Sequence, residues 1–128
     1  MVKKTAITAK GAPAPRAPYS QGLRVGNLLY VSGQIPLDPA TGTMVSGDIR
    51  AATKQVMANV GSILEAGGAT FDDVVKVNVY LTDMKDFAAV NEVYLTFLGP
   101  VKPARAAVQV SALPLGASIE IEAVAYLD

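Results

Sequence analysis

The 128-residue chain contains no cysteine, no histidine and no tryptophan. Without cysteine, disulfides and thiolate nucleophiles are excluded, and without cysteine or histidine the chain lacks the ligands that most often bind zinc. The missing histidine also removes the side chain that most often acts as a base near neutral pH. Any catalysis must therefore use carboxylates, tyrosine, lysine, hydroxyl groups or the backbone.

The chain also has no excess of either sign of charge, because 11 lysine and arginine residues balance 11 aspartate and glutamate residues. A chain with zero net charge and scattered basic residues has no field that attracts nucleic acid or an anionic membrane surface. The sequence also lacks a long apolar run and the basic-then-apolar layout of a signal peptide. We therefore expect a cytoplasmic protein that contacts neither nucleic acid nor membrane.

Apolar residues are abundant and make up 51% of the chain. A length of 128 residues corresponds to one domain, spanning residues 1–128, with enough apolar side chains for a core. This apolar content is high for a small soluble monomer, so we expect the chain to associate with copies of itself.

Hydrophobic periodicity predicts two helices among several strands. The predicted elements are a strand near 5–7, a hairpin of 23–25 and 28–32, a helix capped by Asp48 and ended by Gly67-Gly68, a strand over 74–81, a helix over 85–98, and a final hairpin of 105–112 and 117–127. This order implies an α+β domain with both helices packed on one face of a mixed sheet. The uncovered face would carry valine, isoleucine, alanine and tyrosine, so we infer that a closed homo-oligomer buries it.

Arg105 is the only charged residue between Pro103 and Glu120, and it begins an apolar segment. A guanidinium keeps its proton inside a protein and needs an anionic partner, and its planar fork suits a carboxylate. Arg105 therefore either forms an internal salt bridge with Glu120 or Glu122, or binds an incoming acid while a glutamate performs chemistry. The alternation of side chains along a strand cannot decide between these two roles of Arg105, because a register slip of one residue reverses the face on which a side chain lies.

Four further residues are candidates for a binding site. Ser32 and Gly33 follow an apolar strand at a break, where a ligand can approach the backbone, although an ordinary strand exit is the more common explanation. Tyr19 follows a proline-rich arm, residues 11–18, and either closes over a pocket or anchors the arm. Asn91 lies on the second predicted helix, where a surface amide is the common explanation.

Five segments occur in an order that is specific when taken together. They are Ala17–Gly22, Tyr30–Pro36, Phe87–Tyr94, Pro103–Val108 and Ile119–Ala123. Over nearly the whole chain these segments resemble the RidA family, also called YjgF/YER057c/UK114. The combination of Pro-Ala-Arg with Ile-Glu-Ile-Glu is the most specific part of the resemblance.

The resemblance implies a chorismate-mutase-like fold of the Bacillus type, a homotrimer with a barrel-like core, and ligand pockets in the clefts between subunits. It also implies hydrolysis of reactive 2-imino acids and their enamine tautomers, such as 2-iminobutanoate and 2-iminopropanoate, to 2-keto acids and ammonia. Pyridoxal-phosphate enzymes release such compounds, so a functional link to them is expected without necessary contact.

The resemblance assigns roles to seven residues. Arg105 would bind the substrate carboxylate and Glu120 would position or activate water. The expected substrate contacts are Tyr19, Ser32, Gly33, Asn91 and Ala107. Many relatives have cysteine where this chain has Ala107, and because the contact there is expected to be through the backbone, activity should survive the difference.

The chemistry fits this assignment because a protonated imine is already electrophilic. Its hydrolysis needs a carboxylate anchor, an oriented water and a proton acceptor, and requires neither metal nor cofactor. Three alternatives remain: a module that binds small carboxylates such as keto acids, an endoribonuclease or translation inhibitor, and a holdase-like chaperone. The lack of histidine, metal ligands and a basic groove argues against RNA cleavage, and burial of the apolar face in a trimer argues against the chaperone.

Overall fold

In a computed structural model, residues 3–128 form a six-stranded mixed sheet with two α-helices on one face. The elements are β1 Lys4–Ile7, β2 Gly22–Val25, β3 Leu28–Gln34, α1 Ile49–Ala66, β4 Val74–Leu81, α2 Phe87–Leu95, β5 Ala104–Gln109 and β6 Ile119–Tyr126. The strand order across the sheet is β1-β2-β3-β6-β4-β5, and the β4–β5 pair is parallel while the other pairs are antiparallel. The predicted α+β architecture is confirmed.

The first half of the chain follows its local signals closely. Gly26 adopts a φ of 57° in the two-residue turn that joins β2 to β3, and Val25 pairs with Leu28 across it. Asp48 caps α1 by accepting a hydrogen bond from the backbone N–H of Arg50 at 3.0 Å. The apolar stripe of α1 packs against the sheet, where Ile119 and Ile121 of β6 are buried.

Helix α2 is shorter than the predicted span of 85–98. The side chain of Asp83 accepts a hydrogen bond from the backbone N–H of Lys85 and begins a short 3₁₀ turn, Met84–Asp86. The α-helix therefore starts only at Phe87 and ends at Leu95. The Asp83 cap marks the start of the helical region, but the first turn of that region is a 3₁₀ turn and not an α-helical one.

The predicted final hairpin is wrong. Strand β5 pairs only with β4 within residues 3–128, and β6 lies between β3 and β4. The link between them contains Leu115 at a φ of 56°, in a 3₁₀ turn that carries the chain past β4. The inward side chains of β6 are almost fully buried, which suits a central strand, whereas β5 carries the charged Arg105 and occupies the sheet edge.

Strand β4 also departs from simple alternation. The register shifts between Val74 and Lys76, so Val75 is 47% exposed, although strict alternation would place it on the same face as the buried Val77. Val77, Val79 and Leu81, which do alternate regularly, are buried. A bulge adds one residue to a strand, so the alternation of faces is broken at that point and Val75 points away from the helices.

The face without helices remains partly apolar, as the sequence predicted. Tyr30, Val108 and Tyr126 lie on it with 44%, 47% and 48% of their surfaces exposed. Both isoleucines of β6 point to the helices instead, so the prediction that isoleucine lines the open face is wrong for this strand. Neither helix formed by residues 3–128 is long and apolar enough to cross a membrane.

Candidate functional site

A cleft of about 560 Å³ lies between the proline-rich arm and the open face of the sheet. Four of the residues that the sequence singled out line it together: Tyr19, Ser32, Gly33 and Glu120. Apolar side chains, including Ile35 and Leu37, form much of the remaining wall. This combination of apolar walls with a few polar groups is typical of a small-molecule site.

Gln21 holds the arm that forms one wall of this cleft. Its amide oxygen accepts a hydrogen bond from the N–H of Ala9 at 2.7 Å, and its nitrogen donates to the carbonyls of Ala9 and Pro13 at 3.0 and 2.8 Å. Gln21 is itself only 4% exposed. Because a proline-rich segment offers few backbone donors, one buried amide supplies contacts that a sheet would otherwise provide.

Ser32 and Gly33 lie in a bulge inside β3, not at the exit of the strand. The β3–β6 register shifts between Val31 and Gln34, and the strand continues to Gln34. The Ser32 hydroxyl donates a hydrogen bond to the Ser20 carbonyl at 2.5 Å, so its proton holds the segment that follows the arm. Bulges are common beside functional sites because they redirect side chains and leave backbone groups unpaired.

Gly33 leaves the space that the Glu120 carboxylate occupies. A Cβ atom at position 33 would lie 2.1 Å from Oε2 of Glu120, well inside van der Waals contact. Any larger residue would therefore push the carboxylate away from its position over β3. Glycine therefore allows the close approach of this carboxylate and is not needed for an unusual φ.

The two glutamates of β6 share a face but differ in their surroundings. Glu122 accepts hydrogen bonds at Oε1 from the Tyr80 hydroxyl at 2.6 Å and from Nδ2 of Asn78 at 3.1 Å. No side-chain hydrogen bond within residues 3–128 involves the Glu120 carboxylate. Burial, with a smaller contribution from the nearby Glu122, raises the pKa of Glu120 above its usual value.

This environment favours proton transfer by Glu120 over a purely structural role. A carboxylate with a raised pKa is a stronger base than an exposed one, and no group within residues 3–128 donates a hydrogen bond to the Glu120 carboxylate. Glu122, in contrast, is committed to Tyr80, whose pKa is raised mainly by that hydrogen bond. No cluster of three potential metal ligands is found within residues 3–128.

Arg105 lies in a second group of residues on the helix side of the sheet. The parallel register pairs Arg105 with Val77, a buried residue of the helix-facing side. Its Nη1 donates a hydrogen bond to Oδ1 of Asn91 at 2.8 Å, and its Cζ lies 4.9 Å from the ring centre of Tyr94 and 5.5 Å from that of Phe87.

Arg105 forms no internal salt bridge with Glu120 or Glu122. The ion pair found within residues 3–128 joins Arg50 to Glu92 at 2.9 Å on the surface. Of the two alternatives that the sequence left open for Arg105, the internal salt bridge is therefore wrong. Arg105 keeps N–H donors that its hydrogen bond to Asn91 does not use.

The seven predicted site residues thus form two groups on opposite faces of the sheet. Ala107 pairs with Val79 and lies with Arg105 on the helix side, whereas Glu120 pairs with Tyr80 on the open face. Strand β4 separates β5 from β6, which places the two strands about 10 Å apart. One small acid cannot contact both groups within a single chain.

The aromatic surroundings of Arg105 were not predicted from the sequence. Phe87, Asn91 and Tyr94 occupy positions i, i+4 and i+7 of α2, and all three approach the guanidinium. Residues with this spacing lie on one face of a helix. The spacing was visible in the sequence, but nothing in it indicated that this face meets β5.

Comparisons with known proteins agree with this architecture. The family model described as Endoribonuclease L-PSP matches residues 9–127. A RutC family protein of Pyrococcus abyssi is 55% identical over 128 residues, which is 100% of both chains. Human 2-iminobutanoate/2-iminopropanoate deaminase is 48% identical over 125 residues, covering 98% of this chain and 90% of the human protein.

Solved structures have the same fold. The Rid-family protein YyfA from Yersinia pestis superposes with a TM-score of 0.95 at 41% identity, covering 98% of this chain and 100% of the other. Escherichia coli TdcF with bound serine gives a TM-score of 0.93 at 37% identity, covering 97% and 99%. The chain therefore belongs to the RidA (YjgF) family, the family that its sequence segments indicated.

Proposed function

We propose that this protein hydrolyses 2-imino acids to 2-keto acids and ammonia. The observation that carries the proposal is the carboxylate of Glu120, which lies in a cleft against Gly33 without a hydrogen-bond partner from residues 3–128 and with a raised pKa. The mammalian relatives named 2-iminobutanoate/2-iminopropanoate deaminase, at 48% identity, support this choice of reaction.

In this mechanism Arg105 anchors the substrate. Nη1 of Arg105 donates a hydrogen bond to Asn91, and the remaining N–H groups of the guanidinium bind the carboxylate of the imino acid. The anchor orients the planar C=N group toward Glu120, and such orientation removes much of the entropic cost of the reaction. Tyr19 and the backbone at Ser32 and Gly33 form the walls around the reacting carbon.

Glu120 then acts as the general base. It takes a proton from a water molecule as the water oxygen bonds to the imine carbon, and the C=N electron pair moves to nitrogen. Glu120 then returns this proton to the nitrogen. As the C–N bond breaks, the new hydroxyl gives its proton to Glu120 and its oxygen forms the C=O bond, which yields the keto acid and ammonia. General-base catalysis contributes about 10²–10⁴-fold, which suits a substrate that already hydrolyses in water.

The two groups of residues must come from two copies of the chain. The edge formed by β5 and α2 carries Arg105, and the open face of the next copy carries Glu120. A contact between two different surfaces repeats from copy to copy until the ring closes. We propose a homotrimer, the number that the family resemblance implies, with Tyr30, Val108 and Tyr126 buried between copies.

Imino acids of this kind are products of pyridoxal-phosphate enzymes that eliminate water or another group from an amino acid. The proposed reaction would follow theirs in the cytoplasm. Because a free imine diffuses, no contact between the two proteins is needed.

Turnover of an imine made in situ tests the proposal. An amino acid oxidase with catalase would generate the imine from 2-aminobutanoate, and semicarbazide would compete for it as a trap. The protein should lower the semicarbazone yield and raise the rate of keto acid formation. The variant Arg105→Ala should lose this effect, whereas Arg50→Ala, which removes an exposed arginine from a surface pair, should keep it.

The same assay separates hydrolysis from simple binding of small carboxylates. A binding module would bind 2-oxobutanoate but leave the semicarbazone yield unchanged. A wild-type protein that behaves in this way would contradict the proposed hydrolysis.

A further inference from the structure

We propose that Tyr94 is a positioning residue, whose ring holds the guanidinium of Arg105 in the orientation that receives the substrate carboxylate. The inference rests on the proposed function, which assigns the carboxylate to Arg105. Its structural basis is the stacking distance of 4.9 Å between Cζ of Arg105 and the ring centre of Tyr94. Tyr94 is 8% exposed, so the packed core fixes the ring itself.

The guanidinium is held by two different kinds of contact. Asn91 accepts one hydrogen bond at 2.8 Å, which fixes a single nitrogen but leaves the plane free to rotate about that bond. An aromatic ring against the guanidinium restricts this rotation, because the cation is attracted to the ring. A free arginine side chain loses considerable rotamer entropy when it binds an anion, and a preoriented one loses less.

The hydroxyl of Tyr94 does not explain the presence of this ring. It is buried and has no hydrogen-bond partner within residues 3–128, an arrangement that costs stability. Burial raises the pKa of Tyr94, although the charge of Arg105 acts in the opposite direction. The phenol thus stays neutral and does not compete with a substrate carboxylate for the guanidinium.

Two substitutions separate the ring from its hydroxyl. Tyr94→Leu removes the aromatic face, and Tyr94→Phe keeps it. Isothermal titration with 2-oxobutanoate should give a dissociation constant about 3- to 30-fold higher for Tyr94→Leu than for the wild type, and Tyr94→Phe should restore binding to within about twofold. In the turnover assay, KM of Tyr94→Leu should rise by more than kcat falls, because the bound acid still meets Glu120.

Equal binding by Tyr94→Leu and wild type would overturn the inference, as would equally weak binding by Tyr94→Phe and Tyr94→Leu. Should Tyr94→Leu fail to fold, Tyr94→Met also removes the ring while filling more of its volume, and unchanged binding by that variant would overturn it too. The proposed hydrolysis fails separately, if the wild type binds 2-oxobutanoate with the predicted dependence on Tyr94 but turns over no imine.

Discussion

At the scale of single residues, the site depends on differences between chemically similar neighbours. Glu120 and Glu122 are two residues apart on one strand face, yet Glu122 binds Tyr80 and Asn78 while Glu120 is left free in the cleft. Their spacing of two residues in a strand is enough to place both glutamates on one face. Their different roles could not be predicted from the sequence, because they depend on which residues of β4 lie opposite them in the sheet.

The raised pKa of Glu120 predicts a pH-dependent gain in stability for Glu120→Gln. Because the folded protein raises this pKa above its unfolded value, ionised Glu120 disfavours folding, and stability is lost as pH rises through the interval between the two values. The variant should therefore be stabilised relative to wild type near pH 7, with a smaller difference at about pH 3, where both states are protonated. Urea unfolding at the two pH values measures this.

The same variant should lower kcat by roughly 10²–10⁴-fold, the usual contribution of a general base. A stability difference between variant and wild type that is larger at acidic pH would contradict the direction of the pKa shift. The variant Glu122→Gln serves as a comparison, because its carboxylate already has two hydrogen-bond partners.

At the scale of secondary-structure elements, local signals predicted most of what the structure contains. The first hairpin, the Asp48 cap of α1 and the span of β4 are confirmed. The bulges at Val75 and at Ser32-Gly33 were not predicted, since a bulge is set by pairing with a neighbouring strand. The proline-rich arm was predicted as an extended loop, but its attachment through Gln21 was not.

The arm gives a prediction for Gln21→Leu. Loss of the amide leaves backbone groups of Ala9 and Pro13 without their partner, which should lower the free energy of unfolding by about 1–3 kcal/mol. The arm should detach, so trypsin should cleave after Lys10 and Arg16 faster than in the wild type, as mass spectrometry would detect. KM for the imine should rise, because the arm forms a wall of the cleft.

A matched control for the arm is Gln55→Leu, which removes a half-buried glutamine whose amide bonds Asn59 within α1. Its tryptic cleavage within the arm should equal that of the wild type. Wild-type cleavage rates in Gln21→Leu would contradict the anchoring role.

At the scale of the whole molecule, the strand order decides how the site is assembled. The sequence predicted a mixed sheet with both helices on one face, and it predicted that the other face is covered by copies of the chain. The prediction that β5 pairs with β6 was wrong. Strands that are adjacent in the sequence usually pair, but here β6 packs between β3 and β4 and is not next to β5. That error concealed the separation of Arg105 from Glu120.

Mixing two inactive variants tests most directly whether one copy supplies Arg105 and the next supplies Glu120. Arg105→Ala and Glu120→Gln chains, unfolded together and refolded at equal concentrations, would form interfaces in which both required side chains are present. With random assembly about a quarter of the interfaces carry both, so activity should return to about a quarter of the wild-type value. Activity no greater than the sum of the two separate variants, in a mixture whose mixed assembly is verified by mass spectrometry, would contradict a site shared between copies.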